Sequence, residues 1–536
     1  MQGRKELIPK FLYSISLPEL VPPGNFYRKL QQTLDLHFLR AATASYYGSE
    51  GQESIDPVVF FKILIVGYLN NINSDRRLIE YCADSLSIRL FLGYDIDEAL
   101  PWHSTISRTR QLYSEEVFLS LFQKVLSQCV AKGMVRGKRQ AIDSAFIKAN
   151  ASMDSLLEKE VAADAAEYVS ELNKHSEFQV SIQKKTKNKE EQTETEVAVE
   201  METVALVETE VAVESPVLVE AETEEEAGKA LKNCIQIAQA DDQENSAAPQ
   251  KRNNTTHYSN TDPDARISVK PGKACQLNYY GQIAVDDAHH VITAAMADFA
   301  SKRDSDCLPD ILGQTIANLA SNDLQAEQIL ADTNYSSGHA LRYCEENNID
   351  AYIPNFGAYQ PAREWFLFNK EQNQYECQRG NKAILPFKVT KSNSHVYRSS
   401  QTICKSCPFH ESCCSKSMKY KEIRDSVDKP YYDRMHAKLK TGHTARIMRR
   451  IRSGTVEPVL GTLINHRNMK RVNTRGIHQA NKHVLMAAMS YNLKKLLNFT
   501  SKQLKAIAKA MPTPWDKAFF TQIGLHHGRP VLNVAF

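Results

Sequence analysis

Three acidic residues in this 536-residue chain stand where a carboxylate could do chemistry. Asp143 lies inside "AIDSAFIKANAS", a run that otherwise reads as a buried strand through Ala141, Ile142, Ala145, Phe146 and Ile147. An unpaired carboxylate in such a place is desolvated at a cost of several kcal/mol or has its pKa pushed upward, so Asp143 needs a cation, a hydrogen-bond partner or a chemical task. Asp332 ends a second short apolar strand in "EQILADTNYSSG", and strand ends of α/β sheets are where ligands and catalytic groups gather. Glu457, in "GTVEPVLG", reads as an acid at a helix start, with Thr455 as cap and Pro458 in the first turn. Gly461, one turn on, would let that face approach a sheet closely. Hard oxygen ligands of this kind suit Mg²⁺ or Mn²⁺. Two such ions, about 3.5 to 4 Å apart, would drive in-line displacement at a phosphodiester. Asp286, Asp287 and Asp298 look similar, but a turn role suits the first two better.

The elements that must position these acids follow from periodicity. Residues 1–138 read as helical: Asp56 and Pro57 open an apolar helix, Ser74 caps another, and Gly93 stops it. The stretch "HSTISRTR" then predicts a helix capped by Ser104 or Thr105, with Arg108 and Arg110 on its exposed side. That pattern fits either a helix-turn-helix reader of a DNA groove or a plain helical bundle with solvated arginines. Residues 154–172 read as helical as well. From "DARISVK" onward strands alternate with helices: two strands turn around 286–289, a helix follows, and then come the strands "EQILAD" and "AYIPN". The stretch "EWFLFNKEQNQYECQRG" reads as a hairpin that interrupts this α/β core. Helical texture returns near 444, and Leu485, Met489, Leu493 and Leu496 form a stripe opposite Lys482, Lys494 and Lys495.

Composition excludes a membrane protein. The longest apolar run, 58–69, is too short to span a bilayer and is interrupted by Lys62. The first residues lack the continuous apolar stretch of a secretory signal, so the expected location is the cytoplasm. The net charge of +3 conceals an asymmetry: fourteen glutamates and no lysine or arginine lie between Glu190 and Gly228, leaving about +17 on the remainder. A basic body predicts a polyanionic partner. The acidic segment repeats "ETEVAVE" at 194–200 and 208–214 and reads as a low-complexity tether. Among eleven cysteines, only Cys377 and the group in "CKSCPFHESCC" look organised. Cys377, Cys404, Cys407 and Cys413 form a candidate structural Zn²⁺ set, with Cys414 or His410 as alternative ligands and unligated thiols as the other reading.

Taken in order, "AIDSAFIKANAS", "YYGQIAVD", "LADTNYSSG", "VEPVLGTLINHR" and "YNLKKLL" resemble the bacterial insertion-sequence transposases of the DDE type. The N-terminal part with "HSTISRTR" is similar to that family's DNA-binding region. The resemblance spans about 15–500, apart from the acidic repeat. It implies an α/β fold: an RNase H-like mixed sheet flanked by helices, a helical N-terminal DNA-binding domain over 1–138, and a small cysteine-bearing β insertion. The core would run over 139–345, broken by an acidic insertion at about 184–260, with the β insertion at 346–445, closing helices at 446–500 and a tail at 501–536. It also implies that Asp143, Asp332 and Glu457 hold the metal, and that the reaction cuts at terminal inverted repeats and joins 3′ ends to target DNA. The expected partners are double-stranded DNA and further copies of the chain, with action at the bacterial nucleoid. Relatives often carry a lysine a turn or two after the glutamate; Ile464 and Asn465 stand there, leaving His466, Arg467 or Lys470 for that role. The basic residues Arg446, Arg449, Arg450, Arg452, Arg467, Lys470, Arg471 and Arg475 flank Glu457 and would grip DNA phosphates. Two other activities fit the same residues: a DNA-binding regulator that keeps the fold without catalysis, and an RNase H-like nuclease that cuts without joining.

Overall fold

The computed structural model describes residues 16–48, 54–159, 252–269, 274–357, 359–414, 418–440 and 442–510. The acidic repeat and most of the predicted 154–172 helix lie outside them. Where that segment is described, Met153–Ser155 is a 3₁₀ turn and Leu156–Glu158 a strand.

The chain begins with helices: α1 (Leu17–Leu20), α2 (Phe26–Thr33), α3 (Phe38–Thr43), α4 (Pro57–Leu69), α5 (Asp75–Asp84), α6 (Leu86–Leu92), α7 (His103–Leu112) and α8 (Glu115–Ala131). Asp56 caps α4 by accepting from the Val58 amide at 2.8 Å, and Ser74 caps α5 through Arg77 at 3.4 Å. Gly93 ends α6 at φ +91°, a conformation that a side chain would strain. Helix α7 starts one residue before the expected cap. Trp102 is its N-cap, and no side chain closes that end.

A six-stranded mixed sheet follows. Its strands are β1 (Arg139–Lys148), β4 (Arg266–Ser268), β5 (Gln276–Asp286), β6 (Ile292–Phe299), β7 (Gln328–Leu330) and β8 (Asp350–Tyr352); β2 (Leu156–Glu158) and β3 (His257–Ser259) pair separately. Strand β5 runs antiparallel to β1, β4 and β6, whereas β1, β7 and β8 are parallel neighbours. Asp286 and Asp287 occupy the β5–β6 turn. Asp286 is fully buried and accepts from the amides of Gly137 and Ala288 and from Gln140, which explains an acid there without chemistry. Helices α9 (Asp304–Ala320) and α10 (Gly338–Glu346) link the later strands.

A second sheet in the order β13-β12-β11-β10-β9 interrupts this core. It comprises β9 (Phe366–Asn369), β10 (Gln374–Cys377), β11 (Ile384–Lys391), β12 (Ser394–Arg398) and β13 (Glu422–Ser426), with short helices α11 (Gln401–Lys405) and α12 (His410–Cys413) between β12 and β13. Tyr375, Leu385, Tyr397 and Ile423 give it a small core of its own. Three helices close the chain: α13 (Lys429–Leu439), α14 (Gly442–His466) and α15 (Ile477–Ala510).

The N-terminal helices share one continuous apolar core with the first sheet. Helix α15 runs through its centre. Leu485, Met489, Leu493 and Leu496 are buried, but so are Met486, Ala487 and Ala488, so over residues 482–493 the helix is covered all round, while Lys494 beyond them is exposed. Lys482 therefore does not face solvent: it is 4% exposed, donates to the Arg110 carbonyl at 3.2 Å, and burial pushes its pKa down to about 8. Asn492 pins α15 to β6, accepting from the Ile292 amide and donating to the Ile292 carbonyl.

Candidate active site

Register explains why Asp143 and Asp332 meet. Strands β1 and β7 pair only from Arg139↔Gln328 to Ala141↔Leu330, and both aspartates lie two residues beyond that last pair. Parallel neighbours deliver equivalent positions to the same level of the sheet, so Asp143, in mid-strand on β1, comes beside Asp332, which lies just past the end of β7. Asp332 caps the 3₁₀ turn Thr333–Tyr335 by accepting from the Asn334 amide at 3.0 Å. Tyr335, fully buried, anchors that turn through a 2.6 Å bond to Gln282 on β5.

Glu457 arrives on α14. The chain forms a single 25-residue helix here rather than starting a new one at Thr455, and Pro458 lies inside it. An interior proline costs roughly 3 kcal/mol. Val456, Val459, Leu460 and Leu463 are all buried on the same helix, and at about 1.5–3 kcal/mol each their burial outweighs that cost. Nothing lies within 4 Å of where a Cβ on Gly461 would stand, so Gly461 is not a point of close approach to the sheet.

Arg452 joins the acids. Its guanidinium donates to Asp143 Oδ2 at 2.9 Å and to Glu457 Oε1 at 3.3 Å. Asp143 and Arg452 are mostly enclosed, with side chains 17% and 16% exposed, whereas Glu457 is 57% exposed. Burial raises the pKa of Asp143, and the nearby Asp332 charge adds to the rise against the pull of Arg452. Burial also raises that of Asp332, helped by Asp304. Sequence reasoning missed Asp304, which sits in the first turn of α9 and accepts from Ser144 Oγ at 2.6 Å. Nothing sets it apart in sequence from the ordinary acids of a helix start. Among the described residues, no three His, Cys, Asp or Glu side chains already stand in metal-coordinating geometry. The Arg452 guanidinium lies between Asp143 and Glu457 and bonds both.

The basic residues divide into two sets. Arg446, Arg449, Arg450, Lys470, Arg471 and Arg475 are exposed around α14 and the turn after it, and Arg108 is exposed on α7. Three others are engaged in the fold and correct the expectation of a DNA contact. Arg110 is 8% exposed and makes a bidentate pair with Asp75 at 2.9 and 2.6 Å. Arg467 is 4% exposed and donates to the Leu69 carbonyl at 3.1 Å, which also removes it from the phosphate-gripping candidates. Arg452 faces the acids. Cys377, Cys404, Cys407, Cys413 and Cys414 line one cavity of the second sheet, and all are free thiols.

The site thus defines a mixed α/β protein whose carboxylates come from mid-β1, the turn after β7 and helix α14, with exposed basic residues on that helix. Two family models match the chain: "Transposase domain (DUF772)" over residues 15–112 and "Transposase DDE domain" over residues 376–497. Both matches are to transposase domains, which supports a DDE-type transposase of an insertion sequence, a class that acts on DNA. The second match contains Arg452 and Glu457 but neither aspartate. No curated protein and no solved structure matches the chain. No helix among the described residues is long and apolar enough to cross a membrane.

Proposed function

We propose that this transposase binds the terminal inverted repeats of its insertion sequence, cleaves at the ends and joins the freed 3′ ends to target DNA. Asp143, Asp332 and Glu457 act on an RNase H-like core and hold Mg²⁺ or Mn²⁺. The observation that carries this reading is the Arg452 guanidinium shared by Asp143 and Glu457, with the Asp332 charge acting on Asp143. Three carboxylates from distant parts of the chain surround a place that demands positive charge. Oxygen donors of this type suit a small hard divalent ion.

When bound, such an ion supplies charge neutralisation at the attacking and leaving oxygens of the phosphodiester. The chain's own residues do the rest. Asp143 and Asp332 are fixed by the sheet, so their oxygens need little rearrangement. Glu457 rides on α14 beside exposed Arg446, Arg449 and Arg450, so DNA held by these arginines lies against the acid. Lys470 and Arg471 extend the same track, and Arg108 offers a second contact from α7. Two DNA ends and a target call for more than one copy, so the working form is a homodimer or larger assembly on DNA in the bacterial cytoplasm.

The test uses labelled DNA carrying the inverted repeats that border the gene, incubated with the full chain and Mg²⁺. Cleavage followed by strand transfer is expected. Asp143→Asn, Asp332→Asn and Glu457→Gln should each retain binding and lose both reactions. Binding without any cleavage by the wild type would mean a regulator, and cleavage without joining a nuclease.

A further inference from the structure

We propose that Cys377, Cys404, Cys407 and Cys413 bind one structural Zn²⁺ that clamps helices α11 and α12 onto the β10–β11 turn. The site is separate from Asp143, Asp332 and Glu457.

Its parts come from three short segments. Cys377 ends β10, and the turn after it passes through Gly380 at φ +58° and Lys382 at φ +48° before Ala383 bonds back to the Cys377 amide at 2.9 Å. Cys404 sits in α11, Cys407 just beyond it, and Cys413 ends α12. A Cβ on Gly380 would stand 2.4 Å from Cys407 Sγ, so the second segment's thiol rests directly on the first segment's turn. That close approach needs glycine and brings the C-x-x-C step against Cys377.

The cavity these thiols line has apolar walls from Trp365, Phe366, Leu385 and Phe409. Two cations border it. The Arg379 guanidinium lies between the Trp365 and Phe409 rings, at 4.4 and 4.1 Å from their centroids. Lys421, which also lines the cavity, donates to the Cys413 carbonyl. His410 Nδ1, on the same wall, is buried without a hydrogen-bond partner. A buried imidazole nitrogen is seldom left so, and it supplies a polar contact once the cluster closes. Among the described residues these groups do not yet stand in coordinating geometry, so binding must draw the thiols inward. Zinc thiolate bonds near 2.3 Å would bring α11 and α12 toward β10 and exchange four thiol protons for the ion.

The second sheet's own apolar core is built on Tyr375, Leu385, Tyr397 and Ile423, too little to hold the α11–α12 segment as well. A metal supplies what that core lacks.

The test measures metal in the full-length chain purified without chelators. Elemental analysis should find one zinc per chain, unchanged in Asp143→Asn. Cobalt substitution should give the visible bands of a tetrahedral site together with thiolate-to-metal charge transfer. Cys404→Ser and Cys407→Ser should abolish both signals, whereas Cys344→Ser, outside the cavity, should leave them intact. If the cysteine variants fail to fold, the cobalt spectrum of the wild type decides alone. A folded wild type with no stoichiometric zinc and no cobalt–thiolate bands would overturn the proposal, as would bands that survive loss of Cys404 and Cys407.

Discussion

Replacing Arg452 with alanine separates the arginine's place in the free protein from the metal's place in the active one. Breaking a buried ion pair by removing one partner costs roughly 3–5 kcal/mol. Asp143 and Arg452 keep 17% and 16% of their side-chain surface, so water relieves part of this, leaving about 1–3 kcal/mol. Glu457, 57% exposed, adds little. The same energy governs competition, because an ion entering between Asp143 and Glu457 must displace the guanidinium. At about 2 kcal/mol, displacement weakens apparent Mg²⁺ affinity roughly 30-fold. Arg452→Ala is therefore expected to melt lower than wild type without metal, to regain most of that loss at saturating Mg²⁺, and to bind Mg²⁺ more tightly. Thermal unfolding across a Mg²⁺ titration, with calorimetry for Kd, reads all three. Equal Kd values in the two proteins, or a stability loss that Mg²⁺ does not restore, would refute the reasoning.

Arg110→Ala should destabilise the fold by about 3 kcal/mol by leaving Asp75 without its bidentate partner, measured as a shift in urea midpoint. Arg108→Ala should change stability by no more than about 0.5 kcal/mol and instead weaken DNA binding in a salt titration. Gly338→Ala should cost about 1–3 kcal/mol, since its Cβ would stand 2.1 Å from Asp428 Oδ2, where α10 meets the segment returning from the second sheet. In metal-free protein, Asp143 and Asp332 have folded pKa values raised above the unfolded one, so they favour the fold when protonated. That contribution is fully present below the unfolded value and is lost as pH rises through the folded one. Stability at these two sites should fall as pH rises above the ordinary carboxylate range, less steeply in Asp143→Asn, as urea midpoints measured across that rise would report.

Asp143 was legible because a carboxylate in an apolar strand contradicts its surroundings, and Asp332 because it ends a strand. Their juxtaposition required the β1–β7 register, which no local pattern encodes. Glu457 was singled out from its place before Pro458, but the start of its helix was misread, because Pro458 signals a first turn and only the buried Val456, Val459, Leu460 and Leu463 show why the helix runs through it. Arg110, Arg452, Arg467 and Lys482 were all read as surface cations. Helical periodicity says which side chains share a face, not whether a neighbour covers it. Each of these is claimed by a partner distant in sequence: Asp75, Asp143, the Leu69 carbonyl and the Arg110 carbonyl. The cysteine hairpin was readable from local turn chemistry, since β9 and β10 are joined by 370–373.

Anomalous diffraction from crystals of the full chain grown with Mn²⁺ tests the central claim most directly. The expected result is a peak at bonding distance, about 2.1 Å, from carboxylate oxygens of Asp143 and Asp332, with Glu457 beside it and the Arg452 guanidinium moved away. A saturating Mn²⁺ concentration that leaves Arg452 between Asp143 and Glu457, with no peak among the three acids, would contradict it.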